Sequence, residues 1–234
     1  MPDYHWPMQK YAGEAARFRF PFPGLEAITQ NYSQAMQDMF VLAALNGKRN
    51  GTWLEVGAFD PVYASNTYLL EQQFGWSGIS IDRNAACEPA FKTMRSNTRF
   101  VVADATRLNY RDLLRESNLR IDYLSLDIEP AEQTLACLLA LQDVPHRFSV
   151  ITYEHDYYAQ PQQNARLRAI ARRVLAGNRY VLVAGNICIN EKNEAFEDWY
   201  LDGLHFSSEV IRVFQRDSDE PIACSAYLKR AASN

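Results

Sequence analysis

The sequence predicts an α/β fold in which a doubly wound, mainly parallel sheet carries helices on both faces. Short apolar runs alternate with longer amphipathic stretches as far as residue 176, and this alternation is typical of parallel strands joined by helices. Acidic residues follow several of the apolar runs, at the strand ends where a doubly wound sheet forms its ligand crevice. A chain of 234 residues fits one large domain of this kind. We expect that domain to cover residues 31–234, after an irregular arm, rich in proline and aromatic residues, over 1–30.

Helices are predicted where apolar residues recur at helical spacing between capping signals. In the first of them, Ser33 is a candidate N-cap and Gly47 ends the helix. Pro130 is suited to the first turn of a later helix, where its missing N–H removes no hydrogen bond. The predicted helices cover residues 31–47, 64–74, 86–96, 108–117, 131–141 and 162–176.

Strands are predicted at the intervening apolar runs, over residues 52–56, 78–81, 99–102, 121–126 and 147–153. Farther along the chain, Gly185-Asn186 separates two apolar runs, a pattern that signals a hairpin. We therefore expect later strands over 180–184, 187–190, 209–214 and 223–228. The last part of the chain, 201–234, is expected to form a variable extension of the domain that helps to shape substrate specificity.

The stretch 52–66, TWLEVGAFDPVYASN, is predicted to be a strand, a loop and a helix start that hold a cofactor. The loop is followed by no lysine, which excludes the phosphate-binding pattern GxxxxGK[ST]. It has one glycine, Gly57, where the dinucleotide fingerprint GxGxxG needs three. Glu55 precedes that glycine by two positions, which favours a positively charged cofactor without a phosphate. S-adenosylmethionine has those properties.

Four acidic residues come at or close after the ends of predicted strands: Asp82, Asp104, Asp127 and Glu154. Aspartate is common in turns, but four such positions in succession point to a ligand crevice. Asp82 lies about 25 residues after Gly57, where a carboxylate accepts hydrogen bonds from ribose hydroxyls. Asp104 would accept from the adenine amino group, with the Ala105 N–H directed at the ring. Glu55 and Gly57 would lie by the methionine portion of the cofactor.

The remaining polar residues, around Asp127 and after the predicted strand 147–153, would surround the transferred methyl group. Methyl transfer from a sulfonium requires alignment with the acceptor, and an alcohol acceptor must lose its proton. His155 is one candidate base, since a histidine has a suitable pKa. Asp127 and Glu154 are candidate catalytic carboxylates. Alternatively, Asp127, Glu154 and Asp156 could hold Mg²⁺, which takes oxygen ligands.

Composition limits the binding partners and the cellular location that we expect. The net charge is −4, with no basic excess of the kind that binds nucleic acid or an anionic membrane, so we expect a small-molecule or sugar acceptor. No run of about 18 apolar residues occurs, so no membrane span is expected. The four cysteines form no CxxC, and the N-terminus has no signal-peptide pattern, so we expect a cytoplasmic protein. A homodimer is one assembly that the sequence allows.

Several motifs, in a common order, resemble those of the FkbM-type family of S-adenosylmethionine-dependent methyltransferases. They are YSQAMQDMF (32–40), LEVGAFDPVYASNTYLLE (54–71), GWSGISIDRN (75–84), DYLSLDIEPAE (122–132) and, more loosely, FEDWY (196–200). The resemblance implies a Rossmann-like class I methyltransferase fold, a seven-stranded sheet whose last strand is antiparallel. On the matched motifs, Gln37, Asp60 and Asn66 join Asp127 in the expected cofactor site. Pro130 stands where the family commonly has glycine.

The resemblance also implies O-methylation of small molecules, often sugars or polyketide-derived products. We therefore expect an S-adenosylmethionine-dependent O-methyltransferase acting on a hydroxyl group of a small molecule or sugar. One alternative is a non-catalytic regulatory module that binds the same cofactor on the same fold. Another is a nicotinamide-dependent oxidoreductase, which would share Asp82 but for which the glycine pattern is missing.

Overall fold

The computed structural model describes residues 22–189 and 194–233. Within that part of the chain the strands are Thr52–Val56 (β1), Ser77–Asp82 (β2), Thr98–Val102 (β3), Arg120–Leu126 (β4), Arg147–Glu154 (β5), Tyr180–Cys188 (β6), Ala195–Asp202 (β7) and Ile222–Ala223 (β8). They form one sheet in the order β3-β2-β1-β4-β5-β7-β6-β8. Strands β1 to β5 are parallel, and β7 is antiparallel to both of its neighbours.

The doubly wound α/β fold is thus confirmed, with one difference in strand number. The described residues form eight strands, where the resemblance implied seven. The additional strand is the two-residue β8, which pairs in parallel with Ile187–Cys188 at the edge of the sheet. So short a strand carries no apolar run long enough to be recognised in a sequence.

Eight α-helices are described: Gln37–Ala44 (α1), Tyr68–Phe74 (α2), Glu88–Met94 (α3), Tyr110–Leu113 (α4), Ala131–Ala140 (α5), Pro161–Gly177 (α6), Ser208–Phe214 (α7) and Cys224–Ala231 (α8). Successive strand residues point to opposite faces, so each central strand contributes to two cores. Trp53 and Tyr123 pack with residues of α1, α2, α7 and α8. Leu54 and Leu124 pack on the other face with residues of α4, α5 and α6. None of these helices combines the length and the apolarity needed to cross a bilayer.

The predicted helix at 31–47 is shorter at its N-terminal end, because an aspartate engages the preceding loop. Asp38 accepts the backbone N–H groups of Tyr32 at 2.9 Å and Ser33 at 3.3 Å, and also the Ser33 hydroxyl at 2.5 Å. The helix therefore begins at Gln37, and Ser33 is not its N-cap. The next helix likewise begins at Tyr68, whose N–H donates to the Ser65 hydroxyl at 3.1 Å.

The hairpin predicted at Gly185-Asn186 is wrong. Strand β6 runs through both residues with shifts of register, and Asn186 has a left-handed backbone with φ of 55°. Its N–H donates to the buried carboxylate of Asp198 on β7 at 3.0 Å, so a bulge replaces a turn. Asn190, the last residue of the predicted second arm, lies outside the described residues.

The two strands predicted near the end of the chain are also wrong: 209–214 is helical, and 223–228 is helical after Ala223, which ends β8. Helix α7 begins at Ser208, after Ser207 has capped it by accepting the Val210 N–H at 3.4 Å. In α8 the buried residues follow the spacing of one helix face, which identifies a helix packed on the sheet. They are Cys224, Tyr227, Leu228 and Ala231.

The arm expected over residues 1–30 falls largely outside the described residues, since 1–21 are not among them. From Phe22 onward the chain lies against the domain: Phe22 and Ile28 are buried, and Leu25–Ala27 forms one short 3₁₀ turn. Phe22 contacts the ring of Phe74, with 6.4 Å between centroids.

Candidate active site

A cavity of about 650 Å³ lies at the carboxyl ends of the parallel strands, within the usual size range of a small-ligand site. Each of β1 to β5 contributes to its walls at or just after the strand's last residue. The residues that line it are Gln34, Gly57, Phe59, Tyr63, Ala64, Ile81, Asp82, Arg83, Ala103, Asp104, Ala105, Asp127, Ile128, Glu129, Gln133, Glu154, Tyr158, Ile189, Glu194 and Phe196. The crevice that the acidic positions predicted is therefore present.

Gly57 is the first residue of the loop after β1. Its φ is 92°, and an added Cβ would lie 1.7 Å from the carbonyl oxygen of Asp127. Its N–H donates to the Ile81 carbonyl at 2.9 Å, while Asp127 N–H donates to the Val56 carbonyl at 3.0 Å. The glycine thus allows the backbone after β1 to approach the backbone after β4 closely, at the position of Asp127.

Asp82 and Asp104 present acceptor oxygens at one end of the cavity. Each Asp82 oxygen accepts one backbone N–H, from Phe59 at 2.9 Å and from Asn84 at 2.8 Å. A carboxylate oxygen has two lone pairs, so each retains one for a ligand. Hydrogen bonds from Thr106 lower the pKa of Asp104, and they engage its Oδ1, which leaves Oδ2 for a ligand and for Arg107 at 3.5 Å.

The other end of the cavity is strongly acidic. Burial, and then the charge of Asp127, raise the pKa of Glu154 well above its usual range. Burial also raises the pKa of Asp127, opposed only by an interaction with Glu154. Burial followed by the charges of Asp127 and Glu129 raises the pKa of Asp156 to about 7. Because these two buried carboxyl groups interact, ionisation of either one opposes ionisation of the other.

Four residues predicted to bind the cofactor are held by protein groups and do not line the cavity. Glu55 accepts the hydroxyls of Thr67 at 3.0 Å and Ser80 at 2.6 Å. Asn66 Nδ2 donates to Ser125 Oγ at 2.9 Å. Asp60 Oδ1 accepts the N–H groups of Val62 at 2.9 Å and Tyr63 at 2.7 Å. Gln37 Oε1 accepts the Ala35 N–H at 2.8 Å. These residues shape the loops that carry the lining residues.

His155 is fully buried and does not line the cavity. Its Nδ1 accepts the Tyr157 N–H at 3.1 Å, which places the proton on Nε2, 3.3 Å from Asp198 Oδ1. Asp198 in turn forms a bidentate pair with Arg172 at 2.7 and 2.9 Å. Although burial raises the pKa of Asp198, His155 and Arg172 lower it well below its usual range. Both ring nitrogens are thus engaged in a network behind the cavity wall.

The Mg²⁺ site expected at Asp127, Glu154 and Asp156 is not supported. Among residues 22–189 and 194–233, no group of three or more histidine, cysteine, aspartate or glutamate side chains is arranged to hold a metal ion. Asp156 has a left-handed backbone with φ of 47°, is buried, and does not line the cavity. These three carboxyl groups are therefore not arranged as a metal-binding set within the described residues.

Sequence reasoning missed the aromatic lining of the cavity. Phe59 and Tyr63 belong to the loop that was singled out for its glycine and acids, and Tyr158 follows the acidic run after β5. Phe196 comes from β7. The sequence signal available for them was an aromatic residue three or four positions from an acidic residue near a strand end. Their direction depends on backbone angles such as the φ of 49° at Phe59, which a sequence does not reveal.

Glu197 is a buried acid behind the site, and we expect it to make stability depend on pH. Burial raises its pKa from 4.5 to about 8, although donation from Trp199 opposes this. The folded protein thus retains a proton that the unfolded chain releases above pH 4.5. This contribution to the free energy of unfolding is fully present below pH 4.5 and is lost as the pH rises through 8.

Wild type is expected to lose unfolding free energy between pH 5 and pH 9 as Glu197 ionises. Replacing Glu197 by glutamine is expected to reduce that loss by on the order of 4 kcal/mol. Urea unfolding at several pH values measures this slope for wild type and variant. Glu116→Gln, at an exposed position, is the matched control and should keep the wild-type slope. Parallel slopes for wild type and Glu197→Gln would show that Glu197 titrates normally.

Comparison with known proteins gives a fold. Neither a protein-family model nor a curated protein sequence matches this chain. Among solved structures, a putative rRNA methylase from Clostridium thermocellum is similar with a TM-score of 0.52 and 9% identity, over 74% of this chain and 97% of that one. A putative methyltransferase from Thermobifida fusca has a TM-score of 0.48 and 14% identity over 83% and 87% of the two chains. A TehB-like SAM-dependent methyltransferase from Corynebacterium glutamicum has a TM-score of 0.47 and 14% identity, over 83% of this chain and 98% of that one.

The first of these likenesses, together with the strand order, shows that the chain has a Rossmann-like methyltransferase fold. Because the sequence identities are low, these similarities show the fold alone.

Proposed function

We propose that this protein is an S-adenosylmethionine-dependent methyltransferase that methylates a hydroxyl group of a small molecule or sugar. The resemblance to the FkbM-type family is part of this proposal. One observation carries it: the cavity at the strand ends has carboxylates with free acceptor positions at one end and a pair of interacting acids at the other. The first end suits a nucleoside, and the second suits a reacting hydroxyl.

The donor and acceptor set fits this cofactor. Asp82 keeps one lone pair on each oxygen, which suits two neighbouring ribose hydroxyls. Asp104 Oδ2 suits an exocyclic amino group, and the aromatic ring of Phe59 at the cavity wall suits an apolar or planar group. The acidic end of the cavity suits the positive charges of the ammonium and the sulfonium. When bound, S-adenosylmethionine supplies an electrophilic methyl group.

In the proposed reaction Asp127 acts on the acceptor. The acceptor hydroxyl oxygen forms a bond to the methyl carbon as the carbon–sulfur bond breaks, and Asp127 takes the proton that the hydroxyl loses. A positive charge at this end of the cavity favours ionisation of the Asp127–Glu154 pair, which prepares the base. His155 is assigned the supporting role of holding the chain next to Glu154, because both of its nitrogens contact protein groups.

The charge of the cavity supports a small acceptor rather than a nucleic acid. Six of the described lining residues are acidic, and one, Arg83, is basic. A phosphate backbone would be repelled from such a surface.

The Asp127→Asn variant tests the proposal. It is expected to bind S-adenosylhomocysteine within about threefold of wild type, since the adenosine end is untouched. Methyl transfer is expected to fall by about 100-fold or more, as is usual for loss of a general base. Binding is measured by calorimetry, and turnover by S-adenosylhomocysteine formed with a panel of monosaccharides, disaccharides and polyhydroxylated aromatic compounds.

Asp217→Asn is the matched control, because Asp217 is exposed and does not line the cavity. Full turnover by Asp127→Asn would move the reaction centre elsewhere. Binding of S-adenosylhomocysteine by wild type, with no turnover on any member of the panel, would favour the non-catalytic module. Failure of wild type to bind it would overturn the proposal.

A further inference from the structure

Four of the six acidic residues that line the cavity lie at the end remote from Asp104. Arg83, the basic residue of the described lining, follows Asp82 directly and lowers the pKa of Asp104, so its charge belongs to the nucleoside end. Glu129, Glu154 and Glu194 line the other end, beside Asp127, without a basic residue among the described residues that line it. S-adenosylmethionine has an ammonium, a sulfonium and a carboxylate group, so it would add one net positive charge. The excess of negative charge therefore remains after the cofactor is accounted for.

Glu154 gives this acidic end a buried carboxyl group with one unpartnered oxygen. Its exposed fraction is 7%, and its Oε2 has no hydrogen-bond partner among the described residues. Glu154 nonetheless lines the cavity, so the side chain borders the space that a bound molecule would occupy. A buried acceptor without a partner is unfavourable, more so when it is charged, so a donor bound beside Glu154 would be favoured.

Two aromatic rings complete the surroundings. Tyr158 and Phe196 line the cavity with these acids. Burial, and then the charges of Asp156, Glu154, Glu129 and Glu194, raise the pKa of Tyr158 to about 12, so the acids surround this ring. Aromatic faces beside carboxylates are the combination that binds alkylammonium groups.

We propose that the acceptor carries a protonated amine, and that Glu129, Glu154 and Glu194 bind its ammonium group against the rings of Tyr158 and Phe196. This rests on the proposed function, since it assigns the acceptor class of the same site. The ammonium group supplies donors to the carboxyl groups of this end, Glu154 among them, and offsets part of the excess negative charge. The acceptor hydroxyl then lies within reach of Asp127. An amino sugar has both groups on one small ring, and a neutral sugar has the hydroxyl without the charge.

The test measures binding of matched probes to the protein saturated with S-adenosylhomocysteine. The probes are glucosamine, N-acetylglucosamine and glucose, and ethanolamine, N-acetylethanolamine and ethylene glycol. In each set the ammonium member is expected to bind about tenfold or more tightly than its two neutral partners. Glu154→Gln and Glu129→Gln are each expected to reduce that preference severalfold, whereas Glu116→Gln, at an exposed position away from the cavity, should keep it.

The outcomes separate the two proposals. If S-adenosylhomocysteine binds and the neutral probes bind as well as the ammonium probes, or if no probe binds, the ammonium pocket is overturned while the cofactor assignment stands. If S-adenosylhomocysteine does not bind, the proposed function is overturned. A parallel titration with MgCl₂ and no probe distinguishes a divalent-cation site, and saturable Mg²⁺ binding that is lost in Glu154→Gln would also overturn the ammonium pocket.

Discussion

Substitution of Asp82 by alanine is expected to weaken the binding of S-adenosylhomocysteine by about 100-fold or more, the loss of two charge-assisted hydrogen bonds of about 1.5–3 kcal/mol each. Asp82 ends β2 at the mouth of the cavity, and each of its oxygens has a lone pair that no protein group uses. In the proposed complex these lone pairs accept two ribose hydroxyls. Calorimetric titration of wild type and variant measures the change in Kd.

The controls separate a lost contact from a displaced loop. Asp82 also accepts the N–H groups of Phe59 and Asn84, so alanine can disturb the loop that carries Phe59. Asp82→Asn keeps an oxygen acceptor in an isosteric side chain, and an intermediate loss of affinity is expected. Asp217→Ala removes an exposed carboxylate and should bind as wild type does. A change of less than threefold in Asp82→Ala would refute the placement of the nucleoside.

Substitution of Gly57 by alanine is expected to destabilise the protein by about 3–6 kcal/mol, which combines backbone strain, overpacking and lost hydrogen bonds. The φ of 92° is unfavourable for any residue with a Cβ. The added carbon would lie 1.7 Å from the Asp127 carbonyl oxygen and 2.7 Å from Cγ2 of Ile128. The Asp127 N–H is bonded to the Val56 carbonyl at 3.0 Å, so the ends of β1 and β4 would have to move apart.

Urea unfolding measures this effect, from the midpoint and slope of the transition. Gly177→Ala is the matched control, because Gly177 lies in α6 and nothing lies within 4 Å of its added Cβ. That variant is expected to be as stable as wild type or slightly more stable, since alanine favours helix. A Gly57→Ala protein within 1 kcal/mol of wild type would contradict the close approach of the two loops.

The residues that line the cavity were predictable where strand order alone decides position. Gly57, Asp82, Asp104 and Asp127 follow apolar runs, and the carboxyl ends of parallel strands lie side by side along one edge. Their convergence does not depend on any particular side-chain contact. It follows from the alternation of strand and helix, which a sequence expresses directly.

The direction of other side chains near the strand ends was less predictable, because each side chain takes whichever partner lies nearest. Glu55 precedes Gly57 by two positions, yet Thr67 and Ser80 hold its carboxylate away from the cavity. His155 follows Glu154 directly, but Asp198 and the Tyr157 N–H engage both its nitrogens. Thr67, Ser80 and Asp198 are brought near by folding, and the sequence spacing carries no information about them.

By itself the sequence determined the doubly wound α/β class and the strand-end positions that meet in the cavity, because periodicity and order along the chain encode them. Only the tertiary structure decided which of those side chains face the cavity. It replaced a hairpin with a bulge at Asn186, since the buried Asp198 binds that backbone N–H. It also separated Asp156 from the lining and left Glu154 there without a partner on Oε2. Side-chain direction depends on contacts between distant residues, and those contacts exist only in the folded chain.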